Sequence, residues 1–144
     1  MRAGYFEGVL QLRNPTQELI NFVRNKIKRD NRAVISMEES VRGGIDLYVS
    51  SQHYLQNIGL QLKKQFPGEL KISKRLYSRS SLTSRELYRV SVLFRLSNLR
   101  IGQGFKYLGK EHKVVSLGKR VMLKELRSGK KRFVEYEALD KYKV

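Results

Sequence analysis

The feature that most limits how this chain folds is its excess of positive charge. Thirty of its 144 residues are Lys or Arg and 13 are Asp or Glu, so the formal net charge is +17. Repulsion among like charges on this scale opposes compaction. Because the cations are spread through regular hydrophobic patterns and not collected in a low-complexity tail, we expect a folded surface that binds a polyanion, and we favour RNA.

The first two thirds of the sequence alternates between strand and helix patterns. Strands are predicted at residues 4–13, 33–37, 45–50, 70–77 and 87–96, and helices at 16–29 and 51–66. The order is βαββαβ with one extra strand. This order predicts an α+β fold, a ferredoxin-like sandwich in which both helices cover one sheet face and the other face is free for a ligand.

Local signals set the expected ends of these elements. Asn14 is the expected N-cap of the first helix, with Pro15 at the first helical position, and Ser51 is the expected cap of the second. Pro67-Gly68 ends the second helix. The run Arg42-Gly43-Gly44 predicts a turn with a glycine at positive φ.

After residue 98 the helical periodicity stops. Short apolar runs separated by Gly109, Gly118 and Gly129 predict a small SH3-like β-barrel. We therefore expect two domains, residues 1–97 and 98–144. They contain 17 and 13 basic residues and 8 and 5 acidic residues, which leaves +9 and +8. Both domains are candidates for binding the same polyanion.

Several function classes find no support in the sequence. The absence of cysteine excludes disulfides and thiolate zinc sites within the chain. No window is apolar enough for a transmembrane helix and no signal peptide is visible, so we expect a cytoplasmic protein. His53, in the first turn of the second helix, and His112, in a barrel loop, match no metal motif. We expect no cofactor, no metal and no small-molecule substrate.

One group of cations crowds the predicted strand at 70–77, the next loop and the following strand. Cations attract phosphates, and the interleaved Ser and Tyr hydroxyls set the position of the RNA backbone. The alternative is a solvated strand edge that resists aggregation. The group consists of Lys71, Lys74, Arg75, Arg79, Arg85 and Arg89.

A second group lies in the expected barrel. We assign five lysines to loops, where binding residues are concentrated, and expect them to contact phosphates. They are Lys110, Lys113, Lys119, Lys130 and Lys131. Tyr48 is the tyrosine we favour for stacking on a base, since it shares a strand face with Asp46 and Ser50. Asp46 is alternatively the partner of a neighbouring arginine.

Three stretches, Gly8–Arg13, Gly43–Ser51 and Ser73–Leu76, resemble the Nmd-three family, an adaptor of the large ribosomal subunit. The region after residue 98 resembles, more loosely, the SH3-like barrel of translation factor five-A. In that factor an exposed loop lysine is modified, which we do not expect here. The family normally carries Cys-x-x-Cys zinc ribbons before its first strand, so this chain resembles an archaeal member or a fragment without the ribbons.

The resemblance implies a non-enzymatic factor that binds the large ribosomal subunit, its RNA and neighbouring ribosomal proteins. Such a factor would act in late assembly, quality control or recycling. Two alternatives stay open. One is an RNA-processing nuclease on a ferredoxin-like scaffold, with His53 or His112 as general base. The other is a permanent ribosomal protein.

Overall fold

The computed structural model describes the backbone of residues 5–79 and 86–142 and the side chains of residues 5–75 and 89–139. The chain forms two compact units. The first comprises Met1–Leu62 and Leu70–Arg95, and the second comprises Lys63–Glu69 and Leu96–Val144. The sequence-based division at residue 97 stays a prediction.

The first unit combines a five-stranded mixed sheet with two helices, which confirms the α+β class. The strands run in the order β2-β3-β1-β5-β4, with β1 antiparallel to β3 and parallel to β5. The elements are β1 (Gly8–Arg13), α1 (Gln17–Asp30), β2 (Ile35–Val41), β3 (Gly44–Val49), α2 (Gln52–Gln65), β4 (Gly68–Arg79) and β5 (Glu86–Leu96).

The extra strand of the first unit lies inside the sheet and not at its edge. β5 is between β1 and β4, whereas in a simple split βαβ arrangement the last strand of the six elements pairs with β1. Burial explains the order, because Val90, Val92 and Phe94 of β5 are fully buried while residues 71–75 of β4 are exposed. An apolar strand is stable in the middle of a sheet and a basic one at its edge. The ferredoxin-like name stays a prediction.

Three of the predicted local signals are confirmed, and the predicted start of α1 is not. Ser51 Oγ accepts the Tyr54 amide at 3.3 Å, α2 stops at Gln65 before Pro67, and Gly43 has φ +84°, all as predicted. The expected cap of α1 is wrong. Thr16 Oγ1 accepts the Leu19 amide at 3.2 Å, and the helix begins at Gln17. Asn14 has φ +51° and ends β1, so its side chain is not at the cap position.

Both helices pack on one face of the first sheet, as the sequence predicted. Gly59 of α2 lies against Val92, and Arg24 of α1 contacts Glu38, which shares a face with Leu47. A β-carbon on Gly59 would lie 2.8 Å from Val92 Cγ1, so a glycine is needed there. The opposite face contains half-buried side chains that include Tyr48.

The second unit contains a four-stranded antiparallel sheet in the order β6-β7-β8-β9. The strands are β6 (Gly104–Tyr107), β7 (Lys110–Leu117), β8 (Val121–Glu125) and β9 (Lys131–Val134), followed by a 3-10 helix, Tyr136–Tyr142. Among the described residues these strands do not close into a barrel, so the closed barrel expected from the spacing is not observed. Short strands with glycine turns are equally compatible with an open meander, and the SH3-like name stays a prediction.

The inner face of the second sheet covers a small core. Its fully or nearly buried members are Leu99, Val114, Val121, Leu123, Val134, Tyr136 and Leu139. Val121 and Leu123 alternate with outward residues along β8, which is why a five-residue strand supplies two core side chains. Within the described part of the chain, no helix is long and apolar enough to cross a membrane.

Candidate nucleic-acid interface

The strand β4 presents the first predicted group of cations. Lys71, Lys74 and Arg75 are exposed on this edge strand. β4 has 12 residues and β5 has 11, whereas β1 has six and pairs with residues 90–95 of β5. The outer part of β5 therefore extends beyond the end of β1. These three cations lie on a strand that water reaches from both sides.

The other three cations of this group lie in three different environments. Arg79 is the last residue of β4, and Arg85 lies outside the described residues. Arg89 is half-buried, with its guanidinium carbon 3.8 Å from the centre of the Phe6 ring. This cation–π contact gives Arg89 a packing role in addition to its charge.

Tyr48 is on the open face of the first sheet, as its alternation predicted. The Phe6 ring meets it edge-on, with ring centres 4.9 Å apart. Burial raises the pKa of the Tyr48 hydroxyl, and the carboxylates of Glu39 and Asp46 raise it further, so the group is a neutral donor. Asp46 accepts a hydrogen bond from Arg13 at 2.8 Å, which confirms the alternative interpretation of this carboxylate.

Lysines in the second unit form a row across three strands. Lys113 of β7 is opposite Lys124 of β8, and Lys124 is opposite Lys131 of β9. All three side chains are exposed. Directly opposed residues in antiparallel strands have Cβ atoms about 5 Å apart, so this lysine row is a dense stripe of positive charge on the outer face.

The assignment of the second group to loops is wrong for three of its five members. Lys110 and Lys113 lie on β7, and Lys131 is the first residue of β9. Lys119 is in the connection between β7 and β8, and Lys130 is in the turn before β9; both are exposed. The short glycine-bounded runs are strands nearly to their ends, so fewer residues remain for loops.

Two further outer-face residues, Lys124 and Phe133, were not among the selected binding residues. Phe133 is 55% exposed, and the guanidinium carbon of Arg120 is 4.8 Å from its ring centre. Exposed aromatic rings beside cations suit stacking on bases. The alternation of Val121–Glu125 places Lys124 outward in the sequence itself, but only the register reveals its two lysine neighbours.

The histidines occupy different environments. His53 is exposed in the first turn of α2. His112 is not in a loop as expected, but in β7, with 1% of its surface exposed. A general base must reach a substrate proton, and a side chain buried to this degree does not present itself at the surface. Within residues 5–79 and 86–142 no group of three potential metal ligands occurs.

Comparison with known proteins identifies the first unit. The family model described as NMD3, second domain, matches residues 5–96, nearly two thirds of the chain. No curated protein gives a significant match. The matched region contains β1 to β5, both helices and all three stretches that carried the sequence resemblance. The chain therefore belongs to the NMD3 (Nmd-three) family, whose members are ribosome-associated factors.

Proposed function

We propose that this chain is a non-enzymatic factor that binds the large ribosomal subunit through ribosomal RNA and neighbouring ribosomal proteins. It acts in the cytoplasm, in late assembly, quality control or recycling of that subunit. The observation that carries the proposal is the lysine row of Lys113, Lys124 and Lys131. Membership of the NMD3 family supports the ribosome as the source of the RNA.

Protection of a sheet edge does not explain the lysine row. Cations on an edge strand deter unwanted strand pairing. Lys113 and Lys124, however, are on β7 and β8, which have hydrogen-bonded neighbours on both sides. Like charges directly opposed across strands destabilise a sheet. A polyanion that neutralises the row removes this cost, so the arrangement favours a phosphate backbone as the ligand.

The cations of β4 form a second proposed contact. Lys71, Lys74 and Arg75 do lie on an edge strand, so edge protection accounts for part of their charge. We assign them to phosphate contact as well because the whole segment from 71 to 75 is exposed and includes the hydroxyl of Ser73. Tyr48, on the open face of the first sheet, is the proposed stacking residue.

The test is co-sedimentation of the full chain with purified large ribosomal subunits over a series of salt concentrations. The logarithm of the binding constant falls linearly with the logarithm of salt, by about 0.7 to 0.9 for each phosphate contact. The variant Lys113→Gln, Lys124→Gln, Lys131→Gln is expected to reduce this slope by about 2. The matched control replaces three exposed cations elsewhere, Lys28, Arg29 and Arg32, with Gln.

The proposal and its alternatives predict different outcomes. Loss of slope in the lysine-row variant with an unchanged control supports it. An equal loss in both variants means that total charge, and not the row, determines binding. Absence of binding to the large subunit, or binding independent of salt, overturns the proposal. Equimolar retention on actively translating ribosomes would instead favour a permanent ribosomal protein.

A further inference from the structure

The second unit contains a cavity of about 650 Å³ at one end of its sheet. Its walls come from the β6–β7 turn, the start of β7 and the segment after β8, and they include Gly109, Lys110, Glu111, Leu126, Arg127 and Ser128. The volume is in the range of small-molecule binding sites, and the cavity is an open groove, because all six of these residues are exposed. The exposed fraction of Leu126 is 55%, so one wall is apolar and open to a ligand.

The end of the apolar core next to this cavity is polar. Along β8 the inward residues are Val121, Leu123 and then Glu125, which also lines the cavity. Glu125 is opposite His112 of β7, whose inward neighbour is Val114. Of the residues whose burial is described, only His112 and Glu125 are buried with polar or charged side chains, at 1% and 8% exposure. Two core positions in one row are thus occupied by groups that an apolar core excludes.

These polar groups are incompletely satisfied. His112 Nδ1 donates to Lys110 O at 2.8 Å, so in the neutral ring Nε2 is an acceptor, and this buried atom has no partner. The other unpartnered buried side-chain atom in the described part of the chain is Arg132 Nε, on β9 of the same sheet. Glu125 Oε1 forms an ion pair with Lys110 Nζ at 3.9 Å, a distance longer than a hydrogen bond. Unsatisfied buried polar groups are costly. Of the polar row, Glu125 is the residue that lines the cavity, so its carboxylate is the group that a ligand can reach.

We propose that this cavity binds one unpaired guanine base of the RNA, with Glu125 as the residue that selects it. Guanine presents N1–H and the N2 amino group side by side, and a carboxylate accepts two such parallel hydrogen bonds. Adenine presents an acceptor at N1, which a carboxylate repels. The proposal rests on the RNA-binding function proposed above and adds the identity of one recognised base.

The surroundings of Glu125 supply the other contacts that a nucleotide needs. The exposed side chain of Leu126 gives the base an apolar surface to pack against. Lys110 and Arg127 at the rim attract the phosphate. An arginine side chain has the same pair of donors as guanine, and Glu111 in the lining also attracts it, so the test includes arginine as a competitor. We favour the nucleotide because Lys110, Arg127 and the lysine row attract its phosphate.

The test is a titration of the isotope-labelled full chain, followed by the amide resonances of His112, Glu125 and Leu126. The probes are guanosine monophosphate, adenosine monophosphate and arginine amide. Discrimination by one bidentate contact is worth about 1–3 kcal/mol, so guanosine monophosphate is expected to bind at least about fivefold more tightly than adenosine monophosphate. Glu125→Gln is expected to lose this preference. Glu137→Gln, the same chemical change on an exposed residue outside the cavity, is expected to keep it.

The possible outcomes separate this inference from the proposed function. The guanine site is overturned by any of three results: equal binding of both nucleotides, preferential binding of arginine amide, or no shift at these three amides. All three are measured on the unaltered chain, so they do not depend on whether a variant folds. If co-sedimentation with the large subunit persists in that case, the proposed function stands and only the base pocket is wrong. If co-sedimentation also fails, the function itself is wrong.

Discussion

The two units differ in how completely their polar side chains are hydrogen-bonded within the protein. In the first, the Tyr54 hydroxyl donates to Asp30 at 2.7 Å, and Arg13 donates to Asp46 at 2.8 Å. In the second, His112 Nε2 and Arg132 Nε are buried without partners. Paired polar groups stabilise a fold, whereas unpaired ones are a cost that a ligand can remove. At these positions the polar groups of the first unit are satisfied within the protein, whereas two buried side-chain atoms of the second are not.

The cations of the two units differ in the same sense. In the first unit, exposed cations such as Lys71 and Lys74 follow an edge strand, where charge also deters aggregation. In the second, Lys113 and Lys124 oppose each other on internal strands, where charge gives the sheet no such benefit. The lysine row is therefore the better place to look for an effect of RNA on stability as well as on binding.

The largest expected effect on stability comes from a difference in backbone packing between the two units. A β-carbon on Gly44 would overlap the carbonyl oxygen of Leu12, which is fixed in β1, while one on Gly129 would come only within 3.8 Å of a Lys124 side-chain carbon. Gly44→Ala is expected to destabilise the first unit by at least about 3 kcal/mol. Gly129→Ala, at φ +73°, is expected to cost about 1 kcal/mol of backbone strain.

Hydrogen exchange of the backbone amides measures both changes. Loss of protection in β1 and β3 is expected for Gly44→Ala, and a smaller loss in β8 and β9 for Gly129→Ala. Equal effects of the two substitutions would contradict the tighter strand contact inferred for the first unit.

The second prediction compares the signs of two changes in the free energy of unfolding, one for a buried carboxylate in each unit. Glu125→Met replaces a buried carboxylate, whose ion-pair partner Lys110 is largely exposed and 3.9 Å away, with an apolar side chain of similar length. We expect stabilisation by about 1–2 kcal/mol. Asp46→Leu removes the partner of Arg13, and we expect destabilisation by about 2 kcal/mol. Thermal unfolding of each variant in ligand-free solution gives both values. A destabilising Glu125→Met would show that the carboxylate already serves the fold.

The smallest effect concerns a paired hydroxyl of the second unit. Tyr136 donates to Gly118 O at 2.6 Å, and burial, with a smaller contribution from Glu135, raises the pKa of Tyr136 to about 12. In the unfolded chain the group ionises near 10. Its contribution to stability is therefore present below pH 10 and is lost as the pH rises from about 10 to about 12.

Tyr136→Phe is expected to cost about 1 kcal/mol at neutral pH and to flatten the decline of the melting temperature between pH 10 and 12. The unaltered chain is the reference, since its lysines titrate over the same interval in both proteins. A decline as steep in the variant as in the unaltered chain would exclude Tyr136 as its cause.

Local chemistry made much of the first unit predictable. Ser51 caps α2, Pro67 follows its end and Gly43 takes positive φ, because each depends only on residues a few positions away. The same reasoning failed at Asn14, where two neighbouring residue types both suit a cap and the path of the chain leaving β1 selects Thr16. It also misplaced His112, which was predicted in a barrel loop and lies in β7.

The candidate sites depended more on tertiary structure. The sequence analysis placed Lys113 and Lys131 in loops and did not select Lys124. Which strands pair, and in which register, is decided by contacts between distant segments. The polar row of His112 and Glu125 has the same origin.

The sequence by itself determined the excess charge, the order of helices and strands, and which face of each element is apolar, because these follow from composition and from periods of two and 3.6 residues. Only the tertiary structure decided that β5 enters the middle of the first sheet, that the second sheet stays open within the described residues, and that three lysines stand side by side. The reason is physical: pairing joins residues far apart in the chain, and its free energy depends on how whole faces pack together.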